Sequence, residues 1–178
     1  MSTLGQTYLG SVIKRMTSYK MLGDATFAQL AEKDFFYAPN DQSNSIAVII
    51  RHLHGNMVSR WTNFLTEDGE KPGRNRDEEF TPPPAGKAGL LQLWEQGWQC
   101  LLDTLGSLKE EDLLKTIHIR HEPLTAIDAI NRQLAHYPHH VGQIVYIGKM
   151  IVGDGWRSLS IPKGASQDFN KKMKDQHK

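Results

Sequence analysis

The stretch from Leu124 to the GDG of residues 153–155 most constrains this chain, because its apolar positions recur at helical spacing throughout. One row is Leu134, Tyr137, Val141, Val145 and Gly148, and beside it runs a second row of His136, His140, Ile144, Ile147 and Ile151. A surface helix needs one apolar stripe, so two adjoining rows place this helix deep among others. An all-α fold is expected. Within the stretch, HYPHH sets Pro138 at an interior position, where the missing N–H frees the carbonyl of Leu134 at a cost of about 3 kcal/mol. A local kink or bulge is expected there, re-aiming the histidines on either side.

Three more segments share the helical period. The first runs from Leu4 to about Ala31, with Leu4, Tyr8, Val12, Met16, Tyr19 and Leu22 on one face and Gly23–Asp24 as late breakers. Asn44 or Ser45 can cap the second, which carries Ile46, Ile49, Ile50, Leu53, Met57, Trp61 and Phe64. The third runs from about Ala88 to Leu105 on a stripe of Leu91, Trp94, Trp98, Leu101 and Leu105. Residues 66–86, charged at first and proline-rich at the end, follow no period and read as a loop. So long a connection lets consecutive helices of a bundle lie parallel. TIHIRHEP (116–123) reads as a short extended excursion. The tail at about 156–178 is polar, with a short terminal helix in SQDFNKKMKDQ. The expected architecture is one four-helix-bundle domain over residues 1–178.

Lys and Arg number 21 against 20 for Asp and Glu, which gives no sign of a nucleic-acid or acidic-membrane partner and favours a small-molecule ligand. The lone cysteine, Cys100, excludes an internal disulfide and is expected to be a small buried apolar residue rather than a nucleophile. No apolar run is long enough for a bilayer span or a signal peptide, so a cytoplasmic protein is expected.

His136 and His140, four residues apart, point the same way into the interior, whereas His139 points roughly opposite. Neutral imidazole is a good ligand for a transition metal, and this spacing lets two rings reach one ion. A third ligand has two sources in RHLHGNM of the second helix. His54 lies nearer the mean apolar direction, and His52 shares a row with Ile49, Asn56 and Arg60, a polar strip suited to a pocket wall. The residues alone leave that choice open. His118, His121 and His177 lie outside the constellation, and Trp61, Trp94 and Trp98 fall at core spacing.

The HL of the second helix, the HxxxH of the fourth and the long loop together resemble the DinB-like metalloprotein superfamily. NSIAVIIRHLHGNM, SRWTNFLTEDGEKP, RNRDEEF, HYPHHVGQIVYIGK and LSIPKG are closer still to a bacterial subgroup of unassigned function. The resemblance implies a four-helix bundle of up-down-down-up course with its crossover between helices 2 and 3, commonly dimeric, with a divalent metal held by three histidines. Position by position, those histidines are His52, His136 and His140, and His54 and His139 have no ligand counterpart.

Three neutral ligands leave the ion's charge uncompensated and at least one coordination position open, as in catalytic rather than structural zinc sites. Such an ion lowers the pKa of bound water to about 7 and deprotonates a bound thiol. Zinc, nickel and iron(II) all accept imidazole. Some DinB-like relatives act with a low-molecular-weight thiol such as bacillithiol, mycothiol or glutathione, which implies a metal-dependent thiol S-transferase. Asn56 and Arg60 are then substrate-pocket candidates. Arg74 and Arg76 can clamp a carboxylate, against a simpler reading as solvated loop charges. The competing expectation is a metal-binding stress or interaction protein without catalysis. No Glu follows either fourth-helix histidine in the HExxH manner, which counts against a protease.

Overall fold

A computed structural model describes residues 1–81 and 85–176. Thr3 opens α1 (Leu4–Phe27) with a capping box: its hydroxyl accepts the Gln6 N–H, and Gln6 Oε1 accepts the Thr3 N–H, both at 3.2 Å. The helix ends at Phe27 rather than Ala31, and Gly23 and Asp24 stay inside it. Their role is packing. A Cβ on Gly23 would lie 2.4 Å from the Trp94 indole, and Asp24 Oδ1 accepts the Trp94 Nε1–H at 2.7 Å. Leu4 is exposed and Leu9 takes a core position, with Val12 and Met16 buried as expected.

Ser45, whose hydroxyl accepts the Val48 N–H at 3.3 Å, caps α2 (Ile46–Trp61). This helix is buried on most sides and stops at Trp61, with Phe64 buried in the turn that follows. The long connection holds a four-residue helix, α3 (Arg76–Glu79), where a plain loop was expected. Its start is local chemistry: the Asn75 side-chain oxygen accepts the Glu78 N–H at 3.3 Å, and three acidic residues occupy the first turn. The proline-rich end of the connection, residues 82–84, lies outside the described residues, as does His177.

Next come α4 (Lys87–Ser107) and an antiparallel hairpin of β1 (Thr116–Ile119) and β2 (Glu122–Thr125), with Ile119 opposite Glu122. The two-residue turn puts Arg120 at φ 56° and His121 at φ 66°. Mirror-image turns of this kind normally use Asn or Gly, and each left-handed non-glycine residue costs on the order of 1 kcal/mol. Asp68 offsets that strain by accepting the N–H groups of Arg120 (2.9 Å) and His121 (2.8 Å). Partial desolvation opposes the ionised form, but these bonds and one from the Glu70 N–H outweigh it, and the Asp68 pKa falls to about 2.

Thr125 caps α5 (Ala126–Val152), accepting the Asp128 N–H at 3.3 Å. The helix is unbroken α through Pro138, with no π or 3-10 turn, so the expected bulge is absent. Its buried face, including Ile130, Tyr137, Val141, Ile144 and Gly148, is fixed by tertiary packing, which sets helix stability more than one backbone bond does. Gly153 alone of the GDG glycines has a left-handed φ, at 60°. The terminal helix α6 (Ser166–Gln176) buries no side chain.

α2 packs on α4 and α5, and α1 packs on the same two, so four long helices surround a shared core. The all-α expectation holds in that the described residues are mostly helical, with one small two-stranded sheet among them. No described helix is long and apolar enough to cross a membrane.

Candidate metal centre

His52 lies midway along α2, and α5 brings His136 and His140 to face it. The Nε2 atom of His136 is 3.3 Å from that of His52 and 3.1 Å from that of His140. One ligand atom from each ring lies within 4.8 Å of the other two. Two nitrogens each bound about 2.05 Å from a tetrahedral ion lie about 3.3 Å apart, so the spacing fits one ion.

The outer nitrogens explain why the inner ones converge. His52 Nδ1–H donates to Glu79 Oε2 at 2.9 Å, and a carboxylate can only accept. His136 Nδ1–H donates to Gln133 Oε1 at 3.2 Å, and His140 Nδ1–H to Gln143 Oε1 at 2.8 Å. With each Nδ1 hydrogen-bonded outward, a ring in its neutral form turns the lone pair of Nε2 inward. Three lone pairs then meet with no proton between them, an arrangement that a cation relieves. Burial is the main reason the His136 pKa falls to about 3, with the charges of His140 and His52 adding to it. Burial also takes His140 down to about 4, although the Gln143 bond opposes it. Both rings are therefore neutral at pH 7, the form that ligates.

Sequence reasoning missed these outer partners, and Glu79 is the charged one. It is buried at 5% exposure, and Arg74 clamps it bidentately, Nε to Oε1 at 2.7 Å and Nη2 to Oε2 at 2.9 Å. Burial pushes its carboxyl pKa up, but the bonds from His52 and Arg74 win and hold it below the ordinary value. Arg74 does clamp a carboxylate, one from its own chain. Its guanidinium and the carboxylate are both buried, so the solvated-loop reading fails for Arg74. Arg76 is exposed and sits 5.1 Å over the Phe80 ring.

The histidines border a cavity of about 320 Å3 whose wall includes Asn56 and Arg60. The Tyr137 hydroxyl donates to Asn56 Oδ1 at 3.0 Å and accepts the Trp61 Nε1–H at 2.9 Å. Arg60 is 7% exposed, and its Nη1 donates to Glu70 Oε2 at 3.0 Å and to the Gly69 carbonyl. His54 is half-buried outside this cavity, where burial lowers its pKa against a hydrogen bond with Gln96. His139 is exposed and meets Gln143. Cys100 is also off the cavity, 3.7 Å from the Thr62 hydroxyl. Trp61, Trp94 and Trp98 are all packed in the core.

The fold and site together define a mostly helical protein with a three-histidine cluster able to hold a metal ion beside an arginine-lined cavity. The chain belongs to the family described as protein of unknown function (DUF1572), whose model matches residues 3–165. No curated protein matches it.

Proposed function

We propose that this protein is a DinB-like four-helix bundle of up-down-down-up course and a divalent-metal-dependent enzyme. Its reaction joins a low-molecular-weight thiol to a small electrophilic substrate. His52, His136 and His140 hold one ion of zinc, nickel or iron(II). The observation that carries the reading is that all three Nδ1 atoms are hydrogen-bonded outward, to Glu79, Gln133 and Gln143, while the three Nε2 atoms converge.

A divalent ion held there would supply Lewis-acid activation of a sulfur or oxygen nucleophile. The choice of a thiol rests on the chain's own carboxylates. Water attack needs a general base within reach. Glu79 is occupied on both oxygens by Arg74 and His52, and Glu70 accepts from Arg60, Arg74 and Arg120. Neither is free to take a proton. A thiol ionises without strong base help, and neighbouring guanidinium groups favour the thiolate. Asn56, held by Tyr137, orients the substrate from the cavity wall.

Purified untagged protein is expected to carry about one divalent ion per chain, and His136→Ala or His140→Ala to remove it. Metal retained in both variants would end the reading of the site. Metal-loaded protein mixed with a panel of thiols and electrophiles should show a rate above the uncatalysed reaction for at least one pair. Silence across the panel, with metal bound, would favour a non-catalytic metal-binding protein. Resemblance to the superfamily also supports a homodimer, and the exposed Tyr146 and Met150, one turn apart on α5, offer it an apolar surface.

A further inference from the structure

Five of the chain's eight arginines, and no lysine among the described residues, line the cavity beside the three histidines. A generic basic surface would mix the two. Arginine alone is the choice where a planar oxyanion is gripped by parallel N–H groups.

The internal carboxylates do not neutralise this set. Glu70 accepts from Arg60 at 3.0 Å, Arg74 at 3.4 Å and Arg120 at 2.9 Å, and Glu79 takes Arg74. Glu122 reaches Arg132 at 3.5 Å. Arg76 has no ion pair among the described residues, and its guanidinium lies over Phe80. Three carboxylates thus face five guanidinium groups, and an ion held by neutral histidines would add to the surplus. Donors also remain. The bonds described engage Nη1 of Arg60 and of Arg132 and Nε of Arg120, so each keeps a terminal nitrogen for a ligand.

The hairpin turn is an independent pointer. Arg120 sits at the tip in a left-handed conformation that arginine rarely adopts, and Asp68 ties down both N–H groups of the turn. Strain of this kind persists where the surroundings over-determine it, and it clusters at ligand-binding sites. Here it delivers a guanidinium to the cavity wall. Arg132 comes one turn before His136 on α5, and Arg60 two turns after His52 on α2, so the cationic wall and the histidines are continuous.

We propose that Arg60, Arg76, Arg120 and Arg132 form a subsite for an oxyanion, a carboxylate or phosphate, carried by a small substrate whose reacting end faces the three histidines. The cavity, at about 320 Å3, is at the small end for ligand pockets and suits a compact organic acid or phosphoester. The placement of the reacting end rests on the metal reading; the grip on the anion needs only the arginines.

The test is titration calorimetry of zinc-loaded protein with succinate, inorganic phosphate and neutral succinamide, with zinc content measured on the same samples. At least one anion should bind at one per chain, and succinamide about tenfold or more weaker than succinate if the group is a carboxylate. A phosphate preference assigns a phosphoryl group. The double variant Arg76→Gln/Arg132→Gln alters exposed side chains, so it should keep its zinc and its melting temperature while losing about tenfold or more of the anion affinity. Unchanged affinity in that variant would overturn the subsite, as would a fully zinc-loaded protein that binds neither anion. A protein that takes up no zinc yet binds anion through these arginines would sink the metal reading and keep the subsite.

Discussion

The two regions that build the site are written in different codes. On α5, Arg132, His136 and His140 recur at the helical period, and the proposed ligands can be read from spacing alone. From Asp68 to Phe80 the chain has no period, yet it supplies Glu79 and Phe80 against His52, Arg74 and Arg76 in the cavity wall, and Glu70 to pair with the arginines. The helix fixes where nitrogens are. The loop, through Glu79, fixes which nitrogen of His52 faces outward.

If that division is right, the largest effect of a loop mutation comes from Glu79→Ala. It removes the acceptor of His52 Nδ1–H and takes the bidentate partner from Arg74, whose side chain is 4% exposed. Breaking a buried ion pair from one side costs about 3 kcal/mol, and loss of such an outer partner lowers metal affinity about 10- to 100-fold. Glu79→Gln, which keeps an oxygen for His52, should recover much of the metal affinity while remaining less stable. Thermal unfolding and a competitive chelator titration separate the two. Unchanged metal affinity in Glu79→Ala would make the loop a bystander and dissolve the comparison.

The helical region was legible because burial there follows a repeat. Spacing places Trp94, Trp98, Leu101, Tyr137, Val141 and Ile144 in the core, and they are found there. The bulge expected at Pro138 does not form, for a reason of scale: the lost bond is one term in a helix of 27 residues that is packed against the core. Glu79 was hidden because RNRDEEF looks like any solvated charged run, and only tertiary pairing with Arg74 and His52 shows that one acid of three turns inward. A weak signal did exist, since Asn75 followed three residues later by Glu78 is a helix-start pattern. The glutamines were readable and overlooked. Gln133 and Gln143 lie three residues before His136 and three after His140, within hydrogen-bonding reach on a helix.

The α5 side of the comparison can be sharpened with pH on metal-free protein. Free imidazole titrates near 6.5, whereas in the fold His136 holds out to about 3 and His140 to about 4. Below pH 6.5 the unfolded chain therefore binds more protons than the native one, so stability contributed by these neutral rings is full above that pH and is lost as pH falls toward 4. Denaturant melts at pH 7, 6 and 5 should show a declining midpoint. The double variant His136→Ala/His140→Ala should show a shallower decline over the same interval. Equal slopes would mean that the two rings titrate normally and that α5 does not hold them neutral.

His54→Ala is expected to do least, and it discriminates best between reading a wheel and reading a site. His54 is nearer the apolar direction of α2 than His52 is, but its ring faces Gln96 on α4 and its Cα lies 3.2 Å from where a Cβ on Gly97 would stand. Its place is in the α2–α4 contact, so the substitution should cost about 1 kcal/mol of stability and leave metal content at the wild-type level. His52→Ala on the same helix should lose the ion. Equal metal loss in both would mean that α2 presents the other histidine to α5, and the Glu79 bond to His52 would then be structural only.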